Sequence, residues 1–289
     1  MGAHLIAHLE QSGDEVRGID REHDVTNEAT MREVFEELRP DVTYHLAALT
    51  HVGDSWQQAS EFTRVNVVGT QRVLDAAHAA VPKSLTVIVS SAEVYGVVAE
   101  KDQPLRESFR VAPANPYSAS KVEAERVAHE AVRVRGQRVI VARPFNHLGP
   151  GQALTFVVPA LVSRLLDARE RGDDEIAVGD LSTRRDFSDV RDVVRAYRLL
   201  ALLGKVGEIY NVASGHDVAI YDIATQLVSR LAPDVRLVVD STMLRPSEVP
   251  VARGSYEKLH AATNWSPEVP LHVSLDDVID DVVARRRRG

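Results

Sequence analysis

Apolar positions along the chain recur first at helical spacing and then in short unbroken runs. Leu5, Ile6 and Leu9 share one face of a stretch from Gly2 to Gly13, which predicts a helix ended by its glycine. Glu15 to Asp20 reads as a strand that finishes on an acid. Thr26 or Asn27 can cap a helix running to Leu38, and Pro40 closes it. Asp41 to Ala48 is a buried strand, a longer helical stretch passes through Asn66 to Ala80, and Leu85 to Ser90 is the next strand. A helix carrying Tyr117 precedes the strand Arg138 to Phe145. These strands are continuously apolar and alternate with helices at βα spacing. The pattern predicts an α/β fold with a doubly wound parallel Rossmann sheet.

Past Phe145 the rhythm loosens through Asn146–Gly151. A helix is expected over Thr155–Leu166 and a charged loop over Ala168–Glu175. Alternation resumes at Ile176–Gly179, Asp189–Leu203 and Glu208–Val212, and the remainder is mixed, with prolines at 233, 246, 250, 267 and 270. The chain is therefore expected to divide in two. Residues 1–145 with about 180–215 form the sheet domain, and about 146–179 with 216–289 form a smaller mixed α/β domain.

The length of 289 residues leaves ample core for that division. A net charge of −8 offers no general field for nucleic acid, and the basic run Arg285 to Arg288 reads as a solvated tail. No cysteine is present, which removes disulfide and thiolate chemistry and fits a reducing compartment. No apolar run approaches the ~20 residues of a membrane span, and Met1 to Leu9 lacks the continuous apolar region of a signal peptide. The expected location is cytoplasmic, with no membrane and no nucleic-acid partner.

The candidate chemistry sits in Pro116-Tyr-Ser-Ala-Ser-Lys121, with Ser90-Ser-Ala-Glu-Val-Tyr-Gly96 upstream. Tyr117 and Lys121 are four apart, so on a helix they share one face. A phenol titrates near ~10, and a fixed cation beside it favours the phenolate, bringing it toward a working range. Ser91, delivered from a strand end, could hold a substrate oxygen against the phenol. Such a set can move a proton on or off a carbinol oxygen while a hydride joins or leaves its carbon. No metal-ligand cluster is read, and Asn66 is expected to be structural, tying buried backbone.

With these residues in view, the chain resembles the extended short-chain dehydrogenase/reductases, the NAD(P)-dependent epimerase/dehydratase family. The likeness rests on His45-Leu-Ala-Ala48, Asn66-Val-Val-Gly-Thr70, the Ser90 and Tyr117 segments, Arg143-Pro-Phe-Asn146 and Arg185-Asp-Phe-Ser-Asp-Val190. Within the family the chain is most similar to the GDP-6-deoxy-D-mannose reductases, through Thr50–Trp56, Pro144–Gln152, Arg185–Tyr197 and Leu244–Pro250. That resemblance implies Tyr117 as acid/base, Lys121 as its partner and ribose ligand, and Ser91 as the carbonyl hydrogen-bond donor. It puts NADP or NAD beside Gly2, Asp20, Arg21, Asp24, Val25, Ala47 and Ala48. Asp20 favours NAD, whereas Arg21 could pair with a 2′-phosphate. A GDP-sugar would be held by His51, Asn146, Arg185, Arg245 and Glu248 in a homodimeric enzyme, the two domains binding cofactor and nucleotide sugar respectively.

Glu93 leaves a second reaction open. A 4,6-dehydratase needs a base for the C5 proton, and a glutamate two residues after the catalytic hydroxyl fills that role in dehydratases. Here Ala92 stands between Ser91 and Glu93, where many dehydratases carry an acid or a hydroxyl, so carbonyl reduction is the first expectation. A non-catalytic nucleotide-sugar or NAD(P) binding protein is the remaining alternative. Gly2 matches the last glycine of a Gly-x-x-Gly-x-x-Gly phosphate turn whose strand and earlier glycines do not precede it. The expectation is a start placed at an internal methionine, with a short segment upstream.

Overall fold

A computed structural model describes residues 1–243 and 249–288. The first helix, α1 (Gly2–Gln11), buries Leu5 and Leu9. Helix α2 (Glu28–Leu38) starts where Asn27 accepts a hydrogen bond from the Thr30 amide. Between them the expected strand at 15–20 does not form. A strand exists only as part of a ladder, and among the described residues nothing pairs with this segment, although Val16 packs against the central core.

Strand β1 (Val42–His45) is followed by two short helices, α3 (Val52–Ser55) and α4 (Ala59–Thr63). A π-helical turn, Arg64–Val68, then runs into α5 (Gly69–Ala80). Strand β2 (Leu85–Val89), helix α6 (Pro116–Arg135) and strand β3 (Arg138–Pro144) complete the pattern expected of this half. Beyond it lie β4 (Asn146–Leu148), α7 (Val157–Arg171), β5 (Glu175–Val178), β6 (Arg184–Asp189), α8 (Val190–Leu203) and β7 (Ile209–Val212). The chain then forms β8 (Asp217–Ala219), α9 (Ile220–Leu231), β9 (Arg236–Val239), β10 (Val251–Ala252), α10 (Glu257–Thr263) and α11 (Leu271–Arg286). The expected charged loop at 168–175 is shorter than its composition suggested. Helix α7 continues to a left-handed Gly172, and β5 begins at Glu175.

The central sheet runs β1-β2-β3-β7, all parallel. Strands β2, β3 and β7 are largely buried between helices, whereas β1, expected to be a buried strand over 41–48, spans only Val42–His45 and is half-buried except at His45. Its core joins α1 and α8 on one side through Leu5, Val193 and Leu200, while Leu74, Val127 and Ala131 of α5 and α6 cover the other. This is the doubly wound α/β arrangement that the periodicity predicted. A second set of strands, β10-β6-β4 with β8 antiparallel to β6, crosses from the sheet toward a separate core built by α7, α9 and α11. No helix among the described residues is long and apolar enough to cross a membrane. The basic run is not a free tail, because Arg285 pairs with Asp281, and Arg286 pairs with Asp167 and Glu170 of α7.

Candidate active site

The carboxyl ends of β1, β2 and β3 open into a cavity of about 590 Å³, bounded on the far side by α7 and the segment after β5. Ser91, Tyr117 and Lys121 line it. Each reaches it for a local reason. Ser91 follows β2 and caps a short 3-10 turn, Ala92–Tyr95, its Oγ accepting from the Glu93 amide at 3.2 Å. Gly96 ends that turn at φ +64, with the Ala112 carbonyl where a Cβ would have to sit, so no other residue closes it. Tyr117 is the second residue of α6, whose start is set by a reciprocal cap. Asn115 Oδ1 accepts from the Ser118 amide at 2.8 Å, and Ser118 Oγ accepts from the Asn115 amide at 3.1 Å.

Tyr117 and Lys121 are both 6% exposed, and burial decides their protonation. It pushes the phenol up to about 12, with hydrogen bonding to Ser91 working against the rise and the Glu93 charge adding to it. It lowers the ammonium to about 8, with the Glu125 charge opposing. Lys121 is thus close in sequence to the phenol without bringing it down. Its Nζ donates to the Val89 carbonyl at 2.8 Å, and desolvation is the largest influence on the phenol. The phenol is not brought toward a working range as expected, because burial keeps it protonated, and Tyr117 stands as a loaded acid at neutral pH.

Glu93 shares the cavity and accepts a long hydrogen bond from Asn115 Nδ2 at 3.5 Å. Asn66 does not face it. From the π turn it accepts from the Leu49 amide at 2.8 Å and donates to the Leu49 carbonyl and to Ser120 Oγ, which itself donates to the Tyr117 carbonyl. The loop after β1 is thereby tied to the first turn of α6.

The whole of this architecture, from 3 to 278, matches the family model described as GDP-mannose 4,6 dehydratase. The chain belongs to that family. It is similar to the GDP-6-deoxy-D-mannose reductase of Pseudomonas aeruginosa, 34% identical over 99% of this chain and 95% of that one. Similarity extends to the GDP-6-deoxy-D-talose 4-dehydrogenase of Aggregatibacter actinomycetemcomitans, 31% identical over 90% of this chain and 86% of the other. Among solved structures, RMD from Pseudomonas aeruginosa complexed with NADPH superposes with a TM-score of 0.90 at 33% identity, covering 98% and 95% of the two chains.

Of the residues expected to hold substrate, His51, Asn146 and Arg185 join Tyr117 in lining the cavity. His51 Nδ1 lies 2.9 Å from Asp54 Oδ1, near enough for an ion pair but not aligned for a hydrogen bond. Arg185 Nη1 donates to the Arg184 carbonyl. Arg245 and Glu248 lie outside the described residues. Of the residues expected at the cofactor, Ala48 lines the same cavity, while Gly2, Asp20, Arg21, Asp24, Val25 and Ala47 are not among its described lining. Asp20 is an exposed turn residue whose carboxylate accepts from the Arg21 amide, and Asp24 accepts from Thr26 and pairs with Arg64. Val25 packs on Gly69.

The donors facing the cavity fit a dinucleotide. Lys121 uses one of its three N–H bonds on Val89, so a buried ammonium keeps two for ribose hydroxyls. Tyr197 of α8, which the hydrophobic pattern does not single out, presents a fully buried hydroxyl at the cavity wall with no hydrogen-bond partner. It lies inside an apolar helix face, so nothing in its spacing separates it from core.

Proposed function

We propose that this chain reduces the C4 keto group of a GDP-linked 4-keto-6-deoxy-hexose, using NADPH or NADH, to a GDP-D-rhamnose type product. The observation that carries the reading is the convergence of Ser91 and Lys121 on a buried, protonated Tyr117 in one cavity. The end-to-end likeness to a GDP-6-deoxy-D-mannose reductase supports the substrate class. A reduced nicotinamide, when bound, supplies the hydride. Lys121 and Ala48 would hold that cofactor at the sheet, with Gly2, Asp20, Arg21, Asp24, Val25 and Ala47 toward its adenosine end. His51, Asn146, Arg185, Arg245 and Glu248 would hold the GDP-sugar, the arginines supplying forked donors for the diphosphate.

Ser91 donates to the keto oxygen and fixes it beside the phenol. Tyr117 passes its proton to that oxygen as negative charge develops there, which leaves the carbinol and a phenolate. The Lys121 ammonium stabilises the phenolate until solvent returns the proton. In this reading residues 1–145 with about 180–215 serve the cofactor and the remainder the nucleotide sugar, in a cytoplasmic homodimer.

A second reading, 4,6-dehydration of GDP-mannose, is favoured by one observation: Glu93 lines the cavity with Tyr117. Ala92 argues against it, since it offers no proton donor beside that glutamate. Cofactor stoichiometry separates the two, because a reductase consumes one external NADPH per turnover and a dehydratase regenerates its own. We expect NADPH oxidation equal to sugar reduced with GDP-4-dehydro-6-deoxy-D-mannose, followed by absorbance and product NMR, and no keto product from GDP-mannose. Keto sugar formed from GDP-mannose without net cofactor loss would replace the first reading by the second. Tight NADPH binding with neither reaction would leave a binding protein.

A further inference from the structure

Two turns along α6 from Tyr117, Glu125 is 8% exposed and faces Arg143 of β3, 3% exposed. Arg143 Nε donates to Glu125 Oε1 at 2.8 Å and Nη2 to Oε2 at 2.6 Å, a two-pronged pair shut away from water. Each partner also reaches the segment that carries Ser91. Glu125 Oε1 accepts from Ser90 Oγ, immediately before Ser91. Arg143 Nη1 donates to the Tyr95 hydroxyl at 3.0 Å, and its guanidinium carbon lies 4.9 Å from the centroid of that ring. Tyr95 in turn donates to Asn211 Oδ1 on β7 at 2.7 Å. Residues 90 and 95 are thus fastened to one ion pair, with Ser91 and Glu93 between the fastenings.

We propose that the Glu125–Arg143 pair is a positioning device that fixes the 90–95 segment, so that Ser91 is held against Tyr117. Neither residue is among the described lining of the cavity, so neither touches substrate. A buried ion pair is expensive to desolvate, and apolar side chains of like volume commonly serve a core as well or better. What hydrocarbon cannot supply is directional bonding to Ser90 and Tyr95 at once. Strand β2 ends at Val89, so the sheet ladder itself no longer constrains Ser91. The pair takes over where the ladder stops.

The inference rests on the reductase reading, and its test has one arm that does not. Wild type is compared with Tyr95→Phe, Ser91→Ala and their combination, and with Glu125→Gln, Arg143→Met and the double variant of these two, which leaves no unpaired buried charge. For the double variant we expect kcat to fall about tenfold or more while KM for the sugar stays within about threefold, with thermal stability above that of either single change. Tyr95→Phe should lower kcat in the same way and add little when combined with Ser91→Ala, since both act through one hydroxyl. Hydrogen exchange of amides 91–96, measured without substrate, should accelerate about tenfold in the double variant. Wild-type kcat with unchanged exchange in the double variant, or full additivity of Tyr95→Phe with Ser91→Ala, would overturn the proposal. A wild-type chain that fails to turn over the keto sugar would sink the reductase reading, and the exchange measurement would still decide the clamp.

Discussion

Tyr117 and Lys121 depend on burial more than on each other. A phenol held near 12 is protonated throughout the neutral range, so proton donation is limited by what stabilises the phenolate it leaves. Lys121, lowered to about 8, carries that charge only below this pH. We expect kcat/KM to be flat below neutrality and to fall as pH rises through about 8, read from initial rates across a pH series. Lys121→Met should lack this limb and lose both activity and cofactor affinity. Tyr117→Phe removes one proton donor and almost no volume, so it should lower kcat by roughly 10²–10⁴-fold and leave the NADPH dissociation constant nearly unchanged. The i, i+4 spacing makes this pair legible in the sequence. Its electrostatics are not legible there, because the Val89 carbonyl that takes the ammonium and the depth of burial come from packing with β2.

At the scale of elements, the start of α6 aims the phenol. Asn115 supplies the cap, touches Glu93, and fixes where the helix begins, one residue before Pro116 and two before Tyr117. Asn115→Ala should cost about 1–2 kcal/mol in urea unfolding, with a loss of kcat larger than Ala119→Ser gives at the exposed face of the same turn. Helices with caps and stops, such as α2 behind Asn27, can be read along the chain because their signals are local. Strand β6 cannot be read from its own pattern. Its sequence Arg-Arg-Asp-Phe-Ser-Asp is polar, and it is a strand because β4, β8 and β10 come to it from distant parts of the chain. The converse holds for 15–20, whose pattern is that of a strand but which pairs with nothing among the described residues.

Across the molecule, the buried polar groups that brace the site also tie stability to pH. His45, at the end of β1 and 6% exposed, donates from Nε2 to Thr70 Oγ1, since that hydroxyl's own proton goes to the Asn66 carbonyl. Burial, with the Lys121 charge adding, lowers it to about 3, so it is neutral in the fold while the unfolded chain takes up a proton near 6.5. Its contribution is present above ~6.5 and is lost as pH falls from there toward about 3. Between pH 7 and 5 wild type should lose about 2 kcal/mol that His45→Gln does not, measured by urea unfolding at each pH. Equal losses in both proteins would remove His45 as the cause.

The amino-acid sequence alone determined the βα alternation, the parallel sheet, and a Ser-Tyr-Lys set on a strand end and a helix face. Each of these depends on period or spacing within one element. Only the tertiary structure decided that burial keeps the phenol protonated. Only it put Glu125, Arg143, Ser90 and Tyr95 in a single network and left Asp20 on an exposed turn away from the cavity. Those outcomes depend on which surfaces meet, and desolvation and long-range pairing exist only once the chain has closed on itself.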